Sequence, residues 1–159
     1  MSLERWRRLL PGLWAGWLLC VALLATPAGF ALLAPSDAAR MAARMLAQEA
    51  YTSLALGVVL LILERVAARR AVASGGSQFS TGMALALGAL LCTVAGYFAV
   101  QPLLPAARAG QALLGFGQLH AASSAFYGLK CVLVLALAWR AARPGAACTP
   151  GDAPTRASS

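Results

Sequence analysis

Residues 113–139 read LLGFGQLHAASSAFYGLKCVLVLALAW, and the only full charge in that run is Lys130. The hydrocarbon core of a bilayer is about 30 Å thick and takes roughly 20 apolar residues in a helix, so this stretch is long enough to span it. Three further runs of the same kind precede it, Leu9 to Leu33, Leu46 to Leu63 and Met83 to Val100, with Glu49 their only charged residue. The chain therefore reads as all-α, a four-helix transmembrane bundle formed by residues 1–143.

Composition points the same way. Of 159 residues 60% are hydrophobic and 11% charged, where soluble domains carry about a quarter charged residues. The ends, Met1 to Leu10 and Arg140 to Ser159, are too short to bury a core of their own. The tail from Pro144 to Ser159 is rich in Ala, Pro, Thr and Ser, and is expected to be a disordered cytoplasmic extension. A net charge of +8 raises the question of nucleic acid. The arginines, however, stand in short clusters beside apolar spans rather than on one basic face with interleaved aromatics, so no nucleic-acid partner is expected.

Those clusters read as topology signals. Arg5, Arg7, Arg8, Arg65, Arg69, Arg70, Arg140, Arg143 and Arg156 fall on one side of a four-span arrangement, against Arg40, Arg44 and Arg108 on the other. Short cytoplasmic loops are enriched in Lys and Arg, which places both termini in the cytoplasm. The first run is longer than the apolar region of a signal peptide and continues past the small residues at 25–28, so it is read as a retained helix. Ser74-Gly75-Gly76-Ser77 reads as a flexible loop between the second and third spans. On the opposite side, Ser36 or Asp37 is a candidate N-cap for a helix running into span two.

Chemistry is scarce. The four cysteines, Cys20, Cys92, Cys131 and Cys148, are widely spaced without a Cys-x-x-Cys pair, and one histidine cannot complete a zinc pattern. Cys20, Cys92 and Cys131 come to similar heights, where a copper(I) site is conceivable, but ordinary packing is preferred. Small residues at helical spacing, Gly12, Gly16 and Cys20 on span one and Gly88, Cys92 and Gly96 on span three, favour close helix approach or homo-oligomer contacts. Pro27, Pro102 and Pro105 are expected to bend or end their helices. Trp6, Trp14, Trp17, Tyr97 and Trp139 are candidates for the aromatic belt at the membrane interface.

The informative feature is polar. At 100° per residue His120, Ser123, Ser124, Tyr127, Lys130 and Cys131 share one face of span four, leaving Leu129, Val132, Leu133 and Leu137 for lipid. Lys130 lies nine residues before Trp139, roughly 13 Å inside that end of the span at 1.5 Å per residue. A charge at that depth costs about 2.5–3.5 kcal/mol on insertion scales, and so faces a partner, a cavity or a relay. The candidates are snorkelling along Leu133 and Leu137, an ion pair with Glu49, or a ligand, proton or ion site. Glu49 stands roughly 22 Å above Glu64 by the same rise, which gives a vertical order of His120, Glu49, Lys130. Glu49 could equally cap the second span at the interface, with Thr52 and Ser53 at helical spacing behind it. Glu49, His120, Ser123, Ser124, Tyr127 and Lys130 form the candidate intramembrane site.

The segments Leu13-Trp14-Ala15-Gly16, Gln48-Glu49-Ala50-Tyr51, Gly96-Tyr97-Phe98, and Leu119-His120 through Ser123 to Lys130 resemble the bacterial membrane proteins of unknown function related to transmembrane protein 205. That resemblance covers Leu9 to Arg140 and implies a four-helix fold in the bacterial inner membrane, with no established reaction. More remotely the layout is similar to the superfamily of copper-resistance D proteins and the membrane protoporphyrinogen oxidase. There a His and a Lys matter, and only His120 and Lys130 can carry such a role here. A first-span His and methionine-rich copper motifs are missing. No cofactor is predicted. The reading is a non-enzymatic inner-membrane protein, a small-solute or stress-related transport or accessory factor. The alternative is a haem b- or copper-binding redox protein using His120 and Lys130.

Overall fold

Four long helices account for most of residues 3–72 and 79–143, the residues that the computed structural model describes. They are α1 (Leu3–Leu32), α2 (Pro35–Val72), α3 (Thr81–Arg108) and α4 (Phe116–Ala142), and each is long and apolar enough to cross a membrane. The chain is thus a multi-pass, all-helical membrane protein by length and composition. The loop around Ser74 to Ser77 and the tail from Pro144 onward lie outside the described residues.

Each helix packs on its sequence neighbours and α4 returns to α1, closing a ring of four. In such a ring α2 and α4 face each other across the diagonal. The core is formed by Trp14, Ala15 and Leu18 of α1, Leu60 of α2, Ala86 and Ala89 of α3, and Val134 and Leu137 of α4. It fills the half of the bundle nearer the start of α1 and the end of α4. Side chains such as Leu23, Leu91 and Val132 point outward and are more than 60% exposed, as lipid solvent permits.

The helices run further than the apolar runs suggested, because hydropathy marks the buried stretch and not the end of backbone hydrogen bonding. The segment before Leu46 is helical from Pro35 onward. Pro35, rather than Ser36 or Asp37 as a cap, opens α2; proline suits the first helical position because that N–H has no partner anyway. Asp37 sits in the first turn, where a negative charge complements the helix dipole, and pairs with Arg40. α4 begins at Phe116 instead of Leu113, with the Gly115 N–H donating to Gln118 Oε1 at 3.2 Å. The turn after α3 uses Gly110 at φ 71°, a left-handed conformation that glycine reaches without a Cβ clash.

The prolines do not terminate α1 or α3. Each is preceded by a π-helical segment, Cys20–Ala25 before Pro27 and Val94–Val100 before Pro102. Proline removes an N–H and presses on the carbonyl four residues back, and a widened π turn is a known way to absorb such a defect. In α1 the Val21 carbonyl accepts both the backbone N–H of Thr26 and its hydroxyl, the latter at 2.8 Å.

Several packing expectations are corrected. Trp14 is 0% exposed and belongs to the core, not the interface belt, while Trp139 is 68% exposed. Leu137 is also core, because α4 turns that flank toward Trp14 rather than lipid. Nothing lies within 4 Å of a Cβ built on Gly12 or Gly16, so that small face looks outward. On α3 the same pattern is packed: a Cβ on Gly96 would meet Phe126 at 2.8 Å, and one on Gly88 would meet Leu133 at 3.1 Å.

At the end of the bundle where α1 begins and α4 ends, charges link three helices. Arg7 of α1 reaches Glu64 of α2 at 2.9 Å and Glu4 at 3.1 Å. The Ser80 hydroxyl donates to Glu64 at 3.0 Å while accepting the Met83 N–H at 3.1 Å, thereby capping α3. Gly82 leaves room for this carboxylate: a Cβ would stand 2.5 Å from a Glu64 oxygen, and the side chain would have to shift.

Candidate functional site

Lys130 is 3% exposed and does not snorkel; its ammonium donates to both oxygens of Glu49, at 2.7 and 2.8 Å. Glu49 is 2% exposed and lies well inside α2, so it is not an interfacial cap. The two side chains meet although their heights along the helices differ. Helix side chains lean toward the helix N-terminus, and on α4 this carries the long lysine stem toward the level of Glu49. The pair bridges the diagonal from α4 to α2.

The carboxylate is held from behind. Ser53, one turn along α2, donates its hydroxyl to Glu49, and the indole N–H of Trp14 donates to Ser53 at 2.9 Å. Trp14, Ser53, Glu49 and Lys130 thus form one hydrogen-bonded chain through α1, α2 and α4. A buried charge is costly unless paired and hydrogen-bonded. Here both partners are satisfied, and among the described residues no fully buried side-chain nitrogen or oxygen lacks a partner.

Two stripe residues serve the backbone. The Tyr127 hydroxyl donates to the Leu18 carbonyl at 2.9 Å, and the Ser123 hydroxyl donates to the Gly96 carbonyl at 3.3 Å. The first acceptor lies two residues before the π segment of α1, the second inside that of α3. In a membrane every backbone polar group needs an internal partner, and side chains of a neighbouring helix supply one where the ladder is irregular. Part of the α4 polar face therefore belongs to the architecture.

The remainder faces a cavity of about 110 Å³. Glu49, His120, Ser123, Ser124, Tyr127 and Lys130 all line it, joined by Cys92, Thr93, Tyr97 and Gln101 of α3. In the sequence Cys92 reads as a helix-packing residue and Tyr97 as an interface-belt candidate, and Thr93 and Gln101 are not singled out, although Thr93, Tyr97 and Gln101 stand at i, i+4 and i+8, the spacing of one helix face. The Lys130 ammonium lies 4.6 Å from the centre of the Tyr127 ring, close enough for a cation–π contact. A second, wider space of about 480 Å³ adjoins the first through shared walls of Leu46, Gln101 and His120, and is bordered by Thr26, Phe30 and Arg108. His120 stands between the two and stacks on Phe116, centroids 5.7 Å apart at 14°.

A metal set does not assemble here among the described residues: no group of three His, Cys, Asp or Glu side chains could hold an ion. Cys20 is exposed while Cys92 is buried. The three cysteines Cys20, Cys92 and Cys131, weighed as a copper(I) alternative to ordinary packing, are not among any such group. His120 brings a single imidazole, and an inner cavity of about 110 Å³ is smaller than the roughly 150 Å³ space that takes a benzene. Among the described residues no other His, Cys, Asp or Glu side chains join His120 to form a three-residue ligand set.

No curated protein and no solved structure matches this chain. A family model does match, over residues 9–112, which takes in Trp14, Glu49, Ser53 and the α3 wall and leaves the α4 stripe outside. That match covers well over half of the sequence, and the chain belongs to the family described as a domain of unknown function, DUF4149.

Proposed function

We propose that this protein is a non-enzymatic component of the bacterial inner membrane, with both termini in the cytoplasm, that binds a small neutral or zwitterionic solute within its bundle as part of a transport or accessory role. The supporting observation is the cavity itself: polar side chains from α2, α3 and α4 converge on one space at the level of a closed ion pair. Glu49 and Lys130 neutralise one another, so the wall offers hydrogen-bonding groups without net charge. Its inner volume of about 110 Å³ suits a small guest. The wider space beyond His120 serves as the vestibule on the non-cytoplasmic side, in the orientation that the arginine distribution favours. The likeness to transmembrane protein 205 relatives agrees with this membrane setting and brings no reaction with it.

The haem or copper reading has less behind it, for want of a second ligand opposite His120. It also makes a visible prediction. Protein purified in mild detergent from haem-replete cells is expected to be colourless. A stoichiometric Soret band that disappears in His120→Ala would replace the solute reading by a redox one.

Thiol labelling tests the cavity directly. In a background with all four cysteines replaced, Ser124→Cys in the cavity wall is expected to react with a charged methanethiosulfonate added outside spheroplasts. Val132→Cys, 61% exposed and outside the cavity lining, is expected to stay unmodified in lipid. Failure of Ser124→Cys to react from either side would remove the solute pocket. Reaction only in inverted vesicles would reverse the orientation.

A further inference from the structure

A second recess lies at the end of the bundle where α1 begins and α4 ends, far from the Glu49–Lys130 pair. It has a volume of about 200 Å³, and its walls carry Arg7 and Arg8 of α1, Arg140 and Arg143 of α4, and the carboxylates of Glu4 and Glu64. Four guanidinium charges against two carboxylates leave two positive charges uncompensated. The carboxylates are already engaged: Glu64 and Glu4 both bind Arg7, and Glu4 also stands 3.5 Å from Arg8. Arg140 and Arg143 form no ion pair among the described residues, and both are exposed at the mouth of the recess. Arg7 and Arg8 are thus engaged by carboxylates while Arg140 and Arg143 are not, which leaves an excess of positive charge along the recess.

Chemistry narrows the anion. A guanidinium is a planar fork of donors that matches phosphate oxygens two at a time. Arg140 lies in the last turn of α4 and Arg143 is the residue that caps its C-terminal end, and both border the same recess. Depth narrows the source. Trp139, 68% exposed, adjoins Arg140 and is the kind of side chain that sits at headgroup level, and basic pockets between transmembrane helices at that level take anionic lipid headgroups. We propose that the recess between α1 and α4 binds a phosphate-bearing anion through Arg140 and Arg143, supplied by the headgroup of an anionic phospholipid. This site is independent of the solute cavity and stands or falls without it.

The test is native mass spectrometry of the full chain in detergent, with dioleoyl phosphatidylglycerol, dioleoyl phosphatidylcholine or sodium phosphate as the added probe. Each basic residue near a headgroup contributes roughly fivefold in affinity, so Arg140→Gln with Arg143→Gln should weaken phosphatidylglycerol binding about 30-fold and remove its advantage over phosphatidylcholine. A matched control, Arg65→Gln with Arg69→Gln, removes the same charge from exposed positions outside the recess and should leave the advantage intact. Selective binding of inorganic phosphate that Arg140→Gln with Arg143→Gln abolishes, without preference for the anionic lipid, keeps the phosphate site and assigns it to a soluble anion. No preference for either probe, or equal losses in the two double variants, overturns the proposal. Both substituted side chains are exposed, and an unchanged circular dichroism spectrum separates loss of binding from loss of fold.

Discussion

Lys130 and Glu49 have side chains 4% and 2% exposed, whereas Arg7 and Glu64, the other ion pair between helices among the described residues, are 26% and 10% exposed. One pair spans the diagonal of the bundle near its middle; the other fastens α1 to α2 at the end. Distance hardly separates them, since the contacts are 2.7 and 2.9 Å. Environment does. A pair withdrawn from water has its electrostatics undiminished and its desolvation cost unrelieved, so losing one partner strands the other. A pair near water is screened, and either partner can be resolvated. The lesson is that the central pair specifies how α2 and α4 face each other, while the end pair mainly trims an arrangement set by packing.

The largest expected effect tests that claim at its centre. Lys130→Met leaves the Glu49 carboxylate buried beside Ser53 with no counter-charge, a change that costs about 3–5 kcal/mol in proteins generally. Combining it with Glu49→Gln removes both charges and should recover most of the loss. The measurement is the thermal unfolding midpoint in mild detergent by circular dichroism. A double variant as unstable as Lys130→Met alone would mean that the pair is needed for its hydrogen bonds and not for charge balance.

How much of this was readable beforehand follows from the physics of each feature. Four helices were legible because lipid imposes a length and an apolar composition on every span. The α4 stripe was legible because 100° per residue collects His120, Ser123, Ser124, Tyr127 and Lys130 on one face without reference to any other helix. The meeting of Lys130 with Glu49 was not, because heights counted along separate helices omit side-chain lean and tilt. Small residues permit close approach but do not choose the neighbour: within this chain the Gly12 and Gly16 face is left outward while Gly88 and Gly96 are packed. Trp14 looked like a belt residue until Ser53 supplied a buried partner for its N–H. The α3 wall went unread because Thr93 and Tyr97 are weakly polar within an apolar run.

An intermediate effect asks how far the central network extends. Trp14→Phe keeps an aromatic ring in the core but deletes the N–H that Ser53 accepts, two bonds removed from Lys130. The lost hydrogen bond and the vacated volume together should cost about 1–3 kcal/mol, less than Lys130→Met. Combined with Lys130→Met, the losses should fall short of additive, because members of one network couple. Strict additivity would separate Trp14 from the pair and assign its role to the apolar core alone.

The smallest effect belongs to the end pair and sharpens the comparison most. Arg7→Gln removes the contacts to Glu64 and Glu4, yet the carboxylate of Glu64 keeps its hydrogen bond from Ser80 and borders the recess at this end. A loss below about 1 kcal/mol is expected, in the range of exposed ion pairs. Salt provides the independent check. At about 1 M ionic strength the screening length falls to roughly 3 Å, so wild-type protein and Arg7→Gln should converge in stability, while the deficit of Lys130→Met persists because the ions do not reach its pair. If Arg7→Gln instead matched Lys130→Met in size and ignored salt, the end of the bundle would be as dry as its middle. The recess lined by Arg140 and Arg143 would then be too enclosed to admit a headgroup.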